Sequence, residues 1–307
     1  MDALNVGADS LSELITPRPF VRCNHELPRL PRTYTFVVEG PGGRPTTHDL
    51  ADLRHMDCVS QTVCMECAGN SRRYWGRPAE GLPWDNRAVS NVRWTGVQLS
   101  DLLGGLADEA GEVVFESYDT PFLRSLPVAA LRHTPVLVAF AMNDRPIPTE
   151  NGGPVRVVVP GWYGMASVKW LKKLALSRSR VLGVYQTEKY QYYYKDGRTE
   201  PVTLIRPKSV ITDIAVQNPI RVRGKAWSGR PIRAVELIVN GTALEATIRE
   251  RTGPFGWVTW EKVLDMSPGK YRIGSRAYDG CARQPERAAF NKLGYGNNAV
   301  QHLAIEL

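Results

Sequence analysis

The stretch that decides the fold is Cys64-Met65-Glu66-Cys67-Ala68-Gly69-Asn70-Ser71-Arg72-Arg73. In and above it, Val59, Val63, Met65 and Cys67 recur at even offsets, so an extended strand places them on one face. Ala68-Gly69-Asn70 then supplies residue types that turn a backbone tightly and let it approach a bulky ligand. A thiol at the end of a buried strand is predicted, pointing inward, with Arg72 and Arg73 just past the turn. Guanidinium charge nearby favours the thiolate, and thiolates are what soft metals bind.

Cys64 and Cys67 also spell Cys-x-x-Cys, which suits a redox dithiol or half a zinc site. Residues three apart on a strand face opposite ways, so Cys64 is expected to point away from Cys67. No second Cys-x-x-Cys follows, and the Cys-x-x-Cys-His of covalent haem is absent. A buried small hydrophobe is the remaining alternative for Cys67.

The 307 residues are enough for two cored domains or one large one. No run of about 18 apolar residues occurs, so no membrane span is expected. Five scattered cysteines, an odd number, do not form a disulfide framework and suit a reducing compartment; with no export signal visible, a cytoplasmic protein is expected. The net charge is +8, but the arginines are spread without a basic tail, which argues for a small anion and against nucleic acid.

Moving outward, Asp9–Ile15 is predicted as a short helical turn, broken by Thr16-Pro17-Arg18-Pro19. Tyr34, Phe36 and Val38 alternate as a half-buried strand ended by Gly40-Pro41-Gly42-Gly43. A helix is predicted over His48–Met56 with Thr46 and Thr47 as its cap, and another capped by Ser100. Glu112–Ser117 and Val136–Met142 are strand-like, and Arg156 sits in an apolar strand bounded by Gly and Pro. Arg77–Asn91 is a long irregular segment, of the kind that tends to be functional. Beyond Pro201, short alternating strands follow one another, among them a hairpin turning at Asn240-Gly241. That spacing predicts an antiparallel sandwich of immunoglobulin type.

Cys67-Ala68-Gly69-Asn70-Ser71-Arg72 resembles the Cys-Ala-Gly-Asn-x-Arg signature of the sulfite oxidase family of molybdenum enzymes. Phe20-Val21-Arg22-Cys23-Asn24-His25 resembles that family's Phe-Val-Arg-Asn-His element with Cys23 added. Gly152–Arg156 and Val168–Leu171 resemble its Gly-x-Pro-Val-Arg and Val-Lys-Trp-Leu elements, and Ala226–Gly229 and Asn291–Tyr295 its C-terminal half. The matches run in family order from Phe20 to the last strand.

The resemblance implies an α+β chain. A mixed α/β molybdopterin domain would occupy residues 1–200, and an immunoglobulin-like dimerisation domain residues 201–307. It implies a Mo-molybdopterin cofactor with Cys67 as the metal ligand. Phe20, Arg22, Asn24, His25, Asp119, Asn151, Arg156, Ser167, Val168 and Lys169 match cofactor-holding positions, Asn151 standing where animal members have histidine. Arg22, Arg72 and Tyr190 match substrate positions, Trp84 a pocket tryptophan and Arg230 a further arginine. Ser71 replaces an arginine of some members, one positive charge fewer beside the site. The implied reaction is oxidation of sulfite to sulfate by oxygen-atom transfer in a homodimer. No haem is expected in this chain, so electrons would pass to a separate acceptor. Reduction of nitrate, or of another oxyanion or a sulfoxide, is the alternative on the same scaffold. A non-catalytic protein that binds through its sandwich is the alternative of a different class.

Overall fold

The computed structural model describes residues 4–40, 44–106, 111–119, 122–217 and 219–307. The predicted breaker at 41–43 lies outside the described residues. The chain is built on sheets, with only short helices among the described residues. The quoted stretch forms the end of the strand Cys58–Glu66, paired antiparallel along its whole length with Val89–Gln98. Leu137–Met142 continues that sheet and carries Arg156–Val158 on its other edge.

The faces of Cys58–Glu66 divide as predicted near its end. Val63 and Met65 pack with Trp94, Leu137 and Val158, whereas Cys64 enters the main core beside Ala68 and Val89. At the strand's start the pattern fails, and Val59 is exposed. A second five-stranded sheet orders Thr46–Asp49, Thr35–Glu39, Leu171–Ser177, Glu112–Ser117 and Leu123–Pro127.

Three helix expectations are corrected. Asp9–Ile15 forms bends, not a helical turn. Thr46 and Thr47 lie in a strand, and the helix that follows is Leu50–His55, capped by Asp49 in a reciprocal capping box with Asp52. The carboxylate at Asp49 reaches two free N–H groups, which the threonines, committed to the ladder, cannot. The helix at Leu99–Leu102 is a single turn without a side-chain cap, so Ser100 lies inside it.

The C-terminal part is one continuous path of seven antiparallel strands, from Lys208–Ala215 to His302–Glu306, and the first strand packs back against Lys270–Tyr278. Its hairpin turns at Asn240-Gly241, both at positive φ, as that pair favours. This sheet has its own core around Val222, Leu237 and Trp260. Trp227 and Trp257 instead join the main core with Cys64, so apolar packing runs across residue 200.

Candidate active site

Cys67 begins a tight turn. Its N–H donates to the Ala88 carbonyl at 2.9 Å and its carbonyl accepts from the Asn70 N–H at 2.9 Å. Asn70 locks the turn on both sides, donating to Glu66 Oε1 and accepting from the Ala88 N–H. Ser71, at φ +65°, reverses the chain so that Arg72 points back over the turn. A Cβ on Gly69 would lie 2.5 Å from Arg72 Nη2, so only glycine leaves room for that guanidinium. Arg72 is buried, donating from Nε to the Leu293 carbonyl and from Nη1 to that of Leu82, with its guanidinium 5.2 Å above the Tyr295 ring.

Cys67 faces a pocket with roughly 720 Å³ of empty space, its open mouth included. Phe20, Arg22, Asn24, Asp119, Arg156, Ser167, Lys169 and Tyr190 line it too. One site thus gathers residues spread over 170 positions of sequence. Burial pushes the Cys67 thiol up, while the Gly69 N–H, Arg72 and Arg22 pull it down. The expected balance is therefore reversed: desolvation outweighs the guanidinium charges.

Arg156 is 4% exposed and donates to the Asn151 carbonyl at 2.5 Å and the Ser167 carbonyl at 2.8 Å. Lys169 Nζ donates to the Glu150 carbonyl at 2.6 Å and the Arg22 carbonyl at 3.0 Å. Among the described residues neither pairs with a carboxylate. Burial pushes Arg156 down to about 9 and Lys169 down to about 8. Two such cations on one wall are a cradle for a phosphate or another anion. Trp170, at φ +49°, turns the chain directly after Lys169, and its indole donates to the Thr149 carbonyl. A bulky residue in that region costs on the order of 1–3 kcal/mol, a strain typical of functional walls.

Other expected residues stand behind the pocket wall. His25 hydrogen-bonds Asp119 at 3.1 Å through Nδ1 and the Tyr185 hydroxyl at 3.0 Å through Nε2, so it reaches the pocket only through Asp119. Asn151 serves through its carbonyl on Arg156, and the Val168 side chain lies in the main core. Trp84 and Arg230 are corrected: Trp84 lines a separate cleft with Arg73 and Arg87, and Arg230 is exposed away from the pocket. Tyr190 is the only tyrosine among the described residues that line the pocket; Tyr192 is buried with the Arg206 guanidinium over its ring. Sequence reasoning missed Cys23, Met65, Phe122 and Trp170 as lining residues. Cys23 had left a signal, as the extra residue between Arg22 and Asn24.

Among the described residues no three His, Cys, Asp or Glu side chains converge on a common point. A metal beside Cys67 must therefore bring most of its own ligands, and the unpaired cations suit a ligand that is itself an anion. The donor set fits a metal carried by a phosphorylated organic group.

Comparison with known proteins agrees. Residues 24–185 match the family model of the oxidoreductase molybdopterin binding domain. Sulfite oxidase of Gallus gallus is 33% identical, over 92% of this chain and 71% of that protein. Mitochondrial sulfite oxidase of Homo sapiens is 30% identical, over 95% of this chain and 61% of that one. The crystal structure of the sulfane dehydrogenase SoxCD from Paracoccus pantotrophus superposes with a TM-score of 0.85 at 28% identity, covering 96% of this chain and 82% of that one. The chain belongs to the molybdopterin-binding oxidoreductase family. Within it, the chain is a sulfite oxidase-like enzyme whose cofactor is Mo-molybdopterin.

Proposed function

We propose that the chain oxidises sulfite to sulfate and passes the electrons to an external acceptor. The observation that carries this reading is the thiol of Cys67 sharing one pocket with Arg22, Arg156, Lys169 and Tyr190. Cys67 ligates the metal. Phe20, Asn24, Asp119, Arg156, Ser167 and Lys169 hold the pterin and its phosphate, with His25, Asn151 and Val168 supporting them. When bound, the cofactor supplies oxygen-atom transfer and takes up the two electrons.

The chain's own residues do the rest. Arg22 and Arg72 bind the oxyanion and are already in place before charge develops, so little reorganisation is needed. Arg72 Nε and Nη1 are engaged by carbonyls, while Nη2 has no hydrogen bond among the described residues; the side chain is packed behind the residues that line the pocket, next to the Cys67 turn. Burial pushes the Tyr190 hydroxyl up, so it stays protonated and donates to a substrate oxygen.

Nitrate reduction is the second reading, because the nitrate reductase [NAD(P)H] of Hordeum vulgare is 29% identical over 95% of this chain and 39% of that protein. Elemental analysis joined to parallel sulfite and nitrate turnover tests both. About one molybdenum per chain is expected, as one thiolate site implies, with sulfite turned over faster. A metal-free preparation after cofactor loading, or faster nitrate turnover, rejects the sulfite reading.

Residues 1–200 act in this reading as the cofactor domain, and residues 201–307 as an immunoglobulin-like sandwich that pairs two subunits. The curled seven-stranded sheet supports the second assignment. Sedimentation showing only monomer at micromolar concentration removes it. No helix among the described residues is long and apolar enough to cross a membrane. The five free cysteines support a reducing compartment such as the cytoplasm.

A further inference from the structure

Arg72 is a buried cation held without a counter-charge. Its hydrogen-bond partners are the Leu293 and Leu82 carbonyls, and among the described residues no carboxylate pairs with it. Its guanidinium lies over a ring from near the far end of the chain, with Arg72 Cζ 5.2 Å from the Tyr295 centroid. The same ring stacks on Tyr190 of the pocket wall, the centroids 5.4 Å apart and the planes 26° from parallel. One half-buried side chain from the C-terminal region thus touches two groups brought from separate parts of the chain.

The backbone around Tyr295 is fixed from several sides. Asn291, fully buried, grips it twice: its Oδ1 accepts from the Tyr295 N–H at 3.0 Å and its Nδ2 donates to the Tyr295 carbonyl at 2.8 Å. Gly294, at φ +62°, accepts from the Trp75 indole through its carbonyl. A Cβ on Gly294 would meet Ala79 Cβ at 2.6 Å and Arg72 Cγ at 2.9 Å, so a side chain there would push Arg72 off its place. The Gly296 N–H donates to the Ala68 carbonyl at 2.8 Å, on the Cys67 turn itself. The Tyr295 hydroxyl has no hydrogen bond among the described residues, so what Tyr295 offers Arg72 is its ring.

A carboxylate at this place would hold the guanidinium firmly but would cancel its charge. An aromatic face attracts a cation through its quadrupole and carries no net charge, so the cation is held with its field intact. We infer that Tyr295 is a positioning residue for oxyanion binding: its ring fixes the Arg72 guanidinium beside the Cys67 turn and leaves that charge to act on an anion in the pocket. The stack on Tyr190 and the Asn291 clamp keep the ring itself in place. The inference rests on the oxyanion reading of the pocket, and it gives the C-terminal region a part in substrate affinity.

Sulfate serves as the probe, titrated calorimetrically into cofactor-loaded wild-type protein, Tyr295→Leu and Tyr295→Phe. Tyr295→Leu should weaken sulfate binding about fivefold, the scale of one cation–π contact. The sulfite KM should rise by a similar factor, while kcat and the molybdenum content stay close to wild type. Tyr295→Phe, which keeps the ring, should regain most of the affinity. In an Arg72→Gln background, Tyr295→Leu should have no further effect. Wild-type sulfate affinity in Tyr295→Leu, an equal loss in Tyr295→Phe, or the full loss persisting in the Arg72→Gln background overturns the inference while leaving the oxyanion pocket intact. Wild-type protein that binds no sulfate, or Arg72→Gln that binds it as tightly as wild type, overturns the oxyanion role of Arg72 and this inference with it. Should Tyr295→Leu fail to fold, Tyr295→Met takes its place with the same criteria, and the role is then rejected if sulfate affinity is unchanged.

Discussion

Lys208 Nζ lies 3.6 Å from Glu66 Oε1 and donates a hydrogen bond to the Ser71 hydroxyl, so a cation from the C-terminal sheet is buried against the turn that carries Cys67. Glu66 is otherwise satisfied by Asn70 and by the Trp227 indole, and Lys208 also donates to the Asn297 carbonyl. Ser71 thus takes its hydrogen bond from a residue 137 positions further along the chain, whose charge is balanced by Glu66.

Lys208→Met should destabilise the protein by about 3–5 kcal/mol, because it leaves the Glu66 carboxylate buried without its counter-charge. Adding Glu66→Gln should recover part of that loss. Urea unfolding of the cofactor-free protein measures both. A single-variant cost below about 1 kcal/mol, the range of exposed pairs, removes the claim.

Cys67→Ser should fold and keep its melting temperature within a few degrees, yet hold little molybdenum and show no sulfite-dependent dye reduction. A hydroxyl is a poor ligand for a soft metal. Retained turnover would falsify the ligand assignment.

Arg72→Gln should raise the sulfite KM by the equivalent of roughly 1.5–3 kcal/mol, the scale of a charged hydrogen bond. Steady-state kinetics checks this, and an unchanged KM takes Arg72 out of the substrate site.

Gly69→Ala should imitate that defect with the arginine still present. The added methyl would sit 2.5 Å from Arg72 Nη2 and 2.7 Å from its Cζ, forcing the guanidinium aside. Overpacking of this kind costs about 1–3 kcal/mol. A crystal structure of the variant with Arg72 unmoved contradicts the steric account.

The pH dependence follows from Lys169, pushed down from 10.5 to about 8 by burial. Between those values the unfolded chain binds the proton more tightly than the folded one, so the cofactor-free protein gains stability from this group as pH rises from 8 to 10.5. Anion affinity runs the other way, because the ammonium is lost over the same range. Inorganic phosphate binding to the cofactor-free protein should weaken as pH passes through about 8 and 9. Phosphate affinity that is flat from pH 7 to 9.5 rejects Lys169 as a phosphate contact.

Sequence made the pocket-lining residues legible where they sit in short contiguous elements. Cys67 with its turn, Arg22, Arg156 and Lys169 were found this way, because one strand end or one loop carries each. Arg230 and Trp84 were misplaced, and Phe122 went unnoticed, because their positions depend on how separate strands stack. The thiol's electrostatic balance was also misjudged, since proximity of Arg72 can be seen in sequence but desolvation cannot.

By itself the sequence determined the family, the order of strands and turns, and the single thiol at the end of a strand, all set by local periodicity and by spacing along the chain. Only the tertiary structure decided that Lys208 is buried against the turn that carries Cys67, and that Arg156 and Lys169 share one wall where neither meets a carboxylate among the described residues. Burial and charge pairing are properties of groups distant in sequence and close in space, and they exist only once the sheets have packed.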